Sequence, residues 1–445
     1  MLQGKETEET TTKAPPAYIN ANYIRQALEC NVSGSMYDDK RVNVLECVFQ
    51  CINEEGANNR SDIYRAHVKF EEYRLGRPVA DNTTLIVKDV IMDAATKANT
   101  NELVMFQHVL PSMKRILSVI SDYRYGTDKY VPKKRGLKLF ADCLFCERGK
   151  CEIFVMEDLH ALDYRPLEPR YGLDFEESNI VMSKLADLHA ASMQYMKEFP
   201  NMVATLLPSP LSSGISPTRR QAVTAFEGMR NAIKMVEQWT GFDGIAASMR
   251  IWTENFNERL TQVLRRRRCR FNVINHGELC TKNILTRLGV KDSSDPNIVI
   301  VPKDAVFLDF QLSFVGSCGY DLNVFLYTSV SVEVLKLHRH ELLRHYHDRL
   351  KETLKRLKFQ EPELPTWQTL IDEVYDLEFI GYYALLCLLP LSCMDGVAST
   401  EEHERQHKLM YENERVQEML RYGLTRLAQL GVLDCITSET DIPPS

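Results

Sequence analysis

The chain has 445 residues, of which 44% are hydrophobic and 26% are charged, and its formal net charge is −7. This length and composition are typical of a globular protein with two or three packed units, and they exclude global disorder. The mildly acidic balance provides no general attraction for nucleic acid or for an anionic membrane, so we expect neither as a partner.

The N-terminal segment MLQGKETEETTTKAPPAY is polar, and residues 1–16 are expected to form a flexible tail that ends at a Pro-Pro pair. The segment lacks the apolar core of a signal peptide. The twelve cysteines are therefore expected to be reduced thiols, as in a cytoplasmic protein. The apolar stretch 379–394 is too short for a membrane span and contains Pro390, so it is predicted to be a buried helix.

The first third of the chain is predicted to be rich in strands. Residues 63–70 alternate apolar and charged side chains, which is the period-two pattern of a half-buried strand. A loop of Gly, Asn and Ser residues over 55–61 precedes this strand. Further strands are predicted over 82–89 and 152–156, and a helix is predicted over 97–110.

The pattern becomes helical after Leu159. Residues 175–196 repeat apolar side chains at helical spacing, and one short β-rich interruption follows between 271 and 310. Further helices are predicted over 218–239, 244–264, 331–358, 367–389 and 400–430. The change of character predicts an α+β protein with two lobes of unlike architecture, an N-lobe over 17–156 and a C-lobe over 157–445.

The β-rich interruption begins FNVINHGELCTKNILTR and ends AVFLDFQ. Residues 284–287 and 306–308 both have the character of strands, and pairing them antiparallel would place Asn283 beside Asp309. An amide oxygen and a carboxylate are hard ligands that suit Mg²⁺ held mainly by nucleotide phosphates. Glu278 would face the same space, where a carboxylate can accept the proton of an attacking hydroxyl. Either motif alone is better explained as a turn or a strand end, but their order and composition together favour a functional site.

The phrases NVINHGELCTKNIL and VFLDFQLSFVGSCGYDLNVFLYTS together resemble the signature of the ecdysteroid-kinase-like family. This family is also called CHK kinase-like and is related to the choline and aminoglycoside phosphotransferases. Its usual form is H-G-D-x-W-x-x-N followed by D-F-Q. FVMEDL is similar to the segment that connects its lobes, and LADLHAASM is similar to the helix after that connection. TTLIVK and NELVMFQHVLP are similar to a strand and a helix of its small lobe.

The resemblance implies a bilobal protein-kinase-like fold and the ATP-dependent phosphorylation of a hydroxyl group on a small molecule. The acceptor would be an ecdysteroid or other sterol-like alcohol, or a xenobiotic. Glu278 occupies the place of the catalytic base, and Asn283 and Asp309 would ligate Mg²⁺. Lys88 would hold the α- and β-phosphates of ATP and would be oriented by Glu102.

The resemblance assigns further residues to the nucleotide. The adenine edge would lie along the lobe-connecting segment, at Met156, Glu157, Asp158 and Leu159. The loop over the phosphates would be formed by Gly56, Asn58, Asn59 and Ser61. This loop has a single glycine and is by itself a weak signal. Asp321, in YDLNVF, is expected to support the catalytic loop.

Two positions depart from the family pattern. Glu278 stands where the family has aspartate, and a misplacement of about 1 Å can lower a rate on the order of 10²-fold. Cys280 stands where the family has tryptophan, a larger packing group. The metal ligands and the Lys88–Glu102 pair are retained, which favours a working kinase over a nucleotide-binding pseudokinase or scaffold. A protein kinase is disfavoured because the chain has no H-R-D, D-F-G and A-P-E set.

The acceptor and the oligomeric state are left open by the sequence. Residues 382–394 are apolar and aromatic and would suit a sterol-like alcohol, although a plain core helix explains them equally well.

Overall fold

A computed structural model describes residues 13–31, 41–52, 61–74, 77–90, 101–120, 138–149, 151–168, 171–209, 211–215, 220–265, 269–290, 300–393 and 409–434. The chain forms two compact units. The first is drawn from residues 1–97 and 141–162, and the second from residues 98–140 and 163–445. Most of the predicted tail over 1–16 lies outside the described residues, which begin at Lys13.

The first unit is built on a five-stranded antiparallel sheet with strand order β1-β2-β3-β5-β4. Its elements are α1 (Ala21–Asn31), β1 (Val42–Cys51), β2 (Ser61–Arg74), β3 (Arg77–Val90), β4 (Cys143–Arg148) and β5 (Glu152–Glu157). The alternation predicted over 63–70 is confirmed, because Tyr64, Ala66 and Val68 are buried in one core with Ala27 of α1. One face of the sheet is therefore apolar and covered, as period-two patterning requires.

The second unit is mainly helical. The α-helices among its described residues are α2 (Glu102–Val104), α3 (Leu110–Leu117), α4 (Phe175–Glu198), α5 (Pro200–Val203), α6 (Arg220–Val236), α7 (Asp243–Glu254), α8 (Phe256–Arg265), α9 (Gly319–Thr328), α10 (Val332–Arg356), α11 (Trp367–Asp376), α12 (Glu378–Tyr383), α13 (Leu389–Ser392) and α14 (Glu414–Gln429). α4 begins at a capping box, in which Asp174 and Glu177 each accept a hydrogen bond from the other's backbone amide. α10 packs along α4, and every residue of α9 is buried. The second unit therefore has its core around these helices.

Two of the predicted helices are each divided by a break. The helix predicted over 244–264 is two helices separated at Asn255, whose side chain donates to the carbonyl oxygen of Ile251 at 2.9 Å. A short amide side chain that bonds the backbone in this way competes with the helical ladder. The helix predicted over 367–389 is interrupted at Leu377.

Two π-helical segments occur in the described part of the second unit. Met105–Val109 joins α2 to α3, so the helix predicted over 97–110 is described from Glu102 and continues to Leu117. Ala384–Leu388 joins α12 to α13. The hydroxyl group of Tyr411 donates to a carbonyl oxygen of this second segment at 2.8 Å. Single π-turns of this kind are frequent beside functional sites.

The apolar stretch predicted to be a buried helix is helical and largely buried in its described part, Phe379–Cys393. Within the described residues, no single helix is long and apolar enough to cross a membrane. One pair of helices, Trp367–Asp376 and Glu378–Ser392, meets that test together with a bend of 49°.

Two small sheets in the second unit contain the β-rich interruption. The elements are β6 (Tyr164–Pro166), β7 (Val273–Asn275), β8 (Ile284–Val290), β9 (Ile300–Phe307) and β10 (Phe314–Gly316). β6, β8 and β9 form one antiparallel sheet, and β7 pairs antiparallel with β10. The predicted pairing within the interruption is confirmed, since Ile284 lies opposite Phe307 and Leu285 lies opposite Val306. The start of β8 therefore adjoins the end of β9.

Residues 98–140, which the sequence placed in the N-lobe, group with the second unit. Two long-range contacts join this segment to the rest of the second unit. The backbone amide of Asn101 donates to the carbonyl oxygen of Gln311 at 3.1 Å, and Phe140 forms a β-bridge with Phe307. A strand-rich first unit and a mainly helical second unit nevertheless form the α+β, kinase-like bilobal fold that was predicted, and the fold class is confirmed.

Candidate active site

A buried aspartate anchors the loop that contains the predicted catalytic base. Asp321, in the first turn of α9, accepts hydrogen bonds from the backbone amides of His276 at 2.6 Å and Gly277 at 2.9 Å. His189 Nε2 lies 3.2 Å from the same carboxylate, which is fully buried. A carboxylate that accepts several hydrogen bonds holds its partners at a defined place. These contacts agree with the supporting role expected for Asp321.

His276 and Gly277 define the path of the loop further. His276 Nε2 donates to the carbonyl oxygen of Leu308 at 2.7 Å, and its Nδ1 accepts from the backbone amide of Glu278 at 3.3 Å. This pair of partners selects the tautomer with its proton on Nε2. Gly277 has φ +92°, and a Cβ built there would lie 2.1 Å from the carbonyl oxygen of Leu312. Only glycine fits this position without moving the neighbouring segment.

Glu278 extends from the anchored loop and is ion-paired with Lys282. Lys282 Nζ lies 2.8 Å from Glu278 Oε1, and the two side chains are 47% and 16% exposed. Although partial burial opposes it, the Glu278 carboxylate raises the pKa of Lys282 above its usual range. The prediction from sequence missed Lys282, although opposite charges four residues apart were a visible signal.

The two predicted metal ligands lie at adjoining strand ends. The backbone amide of Leu308 donates to the carbonyl oxygen of Asn283 at 2.9 Å, which holds this strand end against the residue before Asp309. Asn283 Nδ2 donates to the carbonyl oxygen of Glu278 at 2.8 Å, so its Oδ1 is turned away from that carbonyl. Asp309 has the left-handed backbone conformation and accepts a hydrogen bond from Gln311 Nε2 at 3.0 Å. A non-glycine residue in this conformation is uncommon and is concentrated at functional sites.

The donor set at this hairpin end fits Mg²⁺. It offers the side chains of Asn283 and Asp309, and an amide oxygen with a carboxylate is the ligand type that hard cations prefer. In the part of the chain that the structure describes, no cluster of three or more His, Cys, Asp or Glu side chains could hold a metal alone. The site therefore suits a metal whose remaining ligands are nucleotide phosphates and water, as is usual for Mg²⁺.

Asn101 joins three segments of the second unit, and the prediction from sequence missed it. Its Nδ2 donates to the carbonyl oxygens of Ser313 at 2.6 Å and Leu207 at 3.1 Å, and its Oδ1 accepts from the Leu207 amide at 2.9 Å. Its backbone amide bonds Gln311, as described above. Glu102, the predicted partner of Lys88, is also buried and is the first residue of α2. The bonds of Asn101 therefore fix the start of this helix to the segment after Asp309. No local sequence pattern predicts this role of Asn101, because the partners of its side chain are 106 and 212 residues away in the chain.

Several of the predicted nucleotide residues lie in the first unit. Lys88 is buried on β3, between Ile63 of β2 and Phe154 of β5. Ser61 is the first residue of β2. Lys88 belongs to the first unit and Glu102 to the second, and their pairing stays a prediction. The other three residues of the predicted phosphate loop, Gly56, Asn58 and Asn59, lie outside the described residues.

The predicted adenine edge also lies in the first unit. Met156 and Glu157 end β5, and Asp158 and Leu159 follow within the same unit. The buried carboxylate of Asp158 accepts hydrogen bonds from Arg65 Nε at 2.8 Å and from a backbone amide two residues later at 3.0 Å. These contacts shape the turn after β5, and the contact with adenine stays a prediction.

Comparison with known families decides the assignment of the chain. The family model described as the ecdysteroid kinase-like family matches residues 55–359. The chain belongs to this family. A search of curated proteins found no match. This match confirms the suspected family. The matched range also contains the predicted base and both predicted metal ligands.

Ecdysteroid kinase-like proteins are generally phosphotransferases of the small-molecule kinase type. One departure from the ecdysteroid kinase-like pattern is visible in the packing of the loop. Cys280, in place of tryptophan, is buried, and burial raises the pKa of its thiol to about 12. The thiol therefore remains protonated and acts as a small packing group.

Proposed function

We propose that this chain uses ATP with Mg²⁺ to phosphorylate a hydroxyl group on a small molecule. The observation that supports the proposal is that Asn283 and Asp309 flank adjoining strand ends and that Asn283 bonds the backbone of Glu278, in a chain of the ecdysteroid kinase-like family. Phosphoryl transfer requires a carboxylate that accepts the proton of the attacking hydroxyl, and oxygen ligands that hold Mg²⁺ at the phosphates. Family membership supports the phosphotransferase class, and the residue roles and the acceptor belong to the proposal.

Each residue has a defined role in the proposed reaction. Glu278 accepts the proton of the acceptor hydroxyl as the hydroxyl oxygen forms a bond to the γ-phosphorus. The bond from that phosphorus to the bridging oxygen breaks, and its electron pair leaves with ADP. Asn283 and Asp309 would hold Mg²⁺, which supplies charge neutralisation at the phosphates when bound. Lys88, oriented by Glu102, would bind the α- and β-phosphates as a point charge.

Two buried aromatic side chains lie near enough to Glu278 for its charge to act on them. Burial raises the pKa of Tyr320 and of Tyr383 above the usual range, and the nearby negative charge of Glu278 contributes at both residues. Both phenols therefore remain neutral hydroxyl groups near the proposed base. Tyr383 ends α12 directly before the second π-helical segment, within the apolar stretch 382–394. The apolar and aromatic character of this stretch suits an uncharged alcohol as the acceptor, such as an ecdysteroid, another sterol-like compound or a xenobiotic.

The proposal is tested by ATP consumption with a panel of steroid and other alcohols. The phosphorylated product is identified by mass spectrometry. We expect turnover in the natural protein and a loss of at least about 10²-fold in Asp309→Ala, because a charge that stabilises the transition state is removed. Asp348→Ala, which removes a carboxylate that is 66% exposed on α10, is the matched control and should retain full activity. Equal turnover in Asp309→Ala and the control would contradict the proposed metal site.

A second candidate function is a nucleotide-binding pseudokinase or scaffold. It is favoured by the replacement of the family's aspartate by Glu278 and by the engagement of that carboxylate with Lys282. Nucleotide binding without turnover in the natural protein, together with turnover in Glu278→Asp, would support this candidate over the first.

A further inference from the structure

The ion pair between Glu278 and Lys282 is a contact that the proposed reaction does not use. The backbone of Glu278 is held at both ends, because its amide donates to His276 Nδ1 at 3.3 Å and its carbonyl oxygen accepts from Asn283 Nδ2 at 2.8 Å. The amide of Cys280 donates to the same carbonyl oxygen at 3.0 Å. What remains adjustable at this residue is its side chain.

A glutamate side chain has more rotatable bonds than an aspartate side chain, so its carboxylate can occupy more positions from the same backbone. A displacement of about 1 Å at a reacting group can lower a rate on the order of 10²-fold. Lys282 contacts the end of this side chain at 2.8 Å, and it lies in the short helical turn Thr281–Asn283, which also contains the proposed metal ligand. The lysine is therefore held by the same turn that fixes the metal site.

The solvent exposure of the Glu278–Lys282 ion pair indicates that stabilising the fold is not its main effect. With the lysine side chain 47% exposed, the pair is screened by solvent and contributes little to the stability of the fold. The effect of the ion pair is on the position of the Glu278 carboxylate, which it limits to one region near the turn that contains Asn283.

We propose that Lys282 is a positioning residue that holds the carboxylate of Glu278 in one place, and so allows a glutamate to act where the family has an aspartate. This inference rests on the proposed function. It requires that Lys282 affect kcat and leave the binding of Mg·ATP nearly unchanged. It also requires that the effect depend on the length of the residue at position 278, because the shorter side chain of Glu278→Asp cannot reach Lys282 at the same distance.

The kinetic test measures ADP release, with water and with the best alcohol of the panel as acceptors. We expect Lys282→Met to lower kcat about 10- to 100-fold, with the KM for Mg·ATP changed less than about twofold. Lys282→Arg should recover most of the loss, because it keeps a cation of similar reach. Lys336→Met, which removes an exposed lysine of α10, is the matched control and should behave as the natural protein.

The same assay in the Glu278→Asp background tests whether Lys282 affects kcat through its contact with Glu278. There, Lys282→Met should change kcat less than about twofold, because the pair is already absent. A Lys282→Met variant with the kcat of the natural protein would overturn the inference. An equal loss in both backgrounds would overturn it as well, since Lys282 would then act without Glu278.

A second measurement needs no turnover. Urea unfolding of the natural protein, Glu278→Gln, Lys282→Met and the double variant forms a double-mutant cycle. An ion pair of this exposure should couple the two positions by about 1.4- to 5-fold in the unfolding equilibrium constant. A chain that binds Mg·ATP but releases no ADP would contradict the proposed function, and the cycle would then decide the inference separately. In a chain that releases no ADP, a coupling factor of one would overturn the inference; in a chain that turns over, the kinetic outcomes above decide it.

Discussion

The substitution Gly277→Ala would add a methyl group where the backbone has φ +92° and where a Cβ would lie 2.1 Å from the carbonyl oxygen of Leu312. Real Cβ atoms essentially never come closer than 3.0 Å to such an atom, so the two segments would have to separate by about 0.9 Å. The positive φ adds about 1–2 kcal/mol of strain, and overpacking against the backbone adds about 1–3 kcal/mol. We therefore expect the free energy of unfolding to fall by about 2–5 kcal/mol.

The same displacement would act on catalysis, because Glu278 is the next residue of the loop. A shift of this size should lower turnover on the order of 10²-fold, measured with saturating ATP at a temperature where the variant is folded. Urea unfolding gives the stability, and Gly149→Ala is the matched control, since nothing lies within 4 Å of a Cβ built there. If Gly277→Ala matched the control in both measurements, the close packing of the loop on Leu312 would be refuted.

Three further predictions concern the surroundings of the loop. Asn101→Leu leaves the buried carbonyl oxygen of Ser313 and the partly buried backbone groups of Leu207 without these bonds, and should lower the free energy of unfolding by about 2–4 kcal/mol in urea denaturation. Asp321→Asn turns one acceptor oxygen into a donor facing a backbone amide, and should speed hydrogen exchange of the two loop amides that bind it, measured by NMR or mass spectrometry. Cys280 should resist iodoacetamide at pH 8 in the folded protein, because burial raises the pKa of its thiol to about 12. Cys30, which is exposed, should react and serves as the control. Peptide mass spectrometry before and after unfolding measures the modification of both cysteines.

The parts of the site that follow from local patterns could be predicted from the sequence. Alternating side chains marked the β2 strand, and two short segments of strand character, 284–287 and 306–308, were expected to pair antiparallel. Antiparallel pairing of adjacent strands then required Asn283 and Asp309 to lie at one end of the hairpin. The support expected from Asp321 came from the family resemblance, and its two bonds to the loop agree with it.

Contacts between distant segments could not be predicted in this way. Asn101 bonds segments more than a hundred residues away, and a single asparagine before a helix has many ordinary explanations. The contacts of Asn101 with residues 207, 311 and 313, which lie in the unit that also contains residues 98–140, are of the same distant kind. The break at Asn255 depends on a side chain that can equally point to solvent within an unbroken helix.

The loop that contains the proposed base is held mainly through its backbone groups, and these contacts are compatible with side chains that depart from the family pattern. Asp321 binds two backbone amides of the loop, and Asn283 binds a backbone carbonyl oxygen within it. Neither contact uses the side chain of Glu278 or of Cys280. These bonds therefore do not depend on which side chains stand at positions 278 and 280. A longer carboxylate can then be accommodated at position 278 provided that a neighbouring group such as Lys282 limits where it lies.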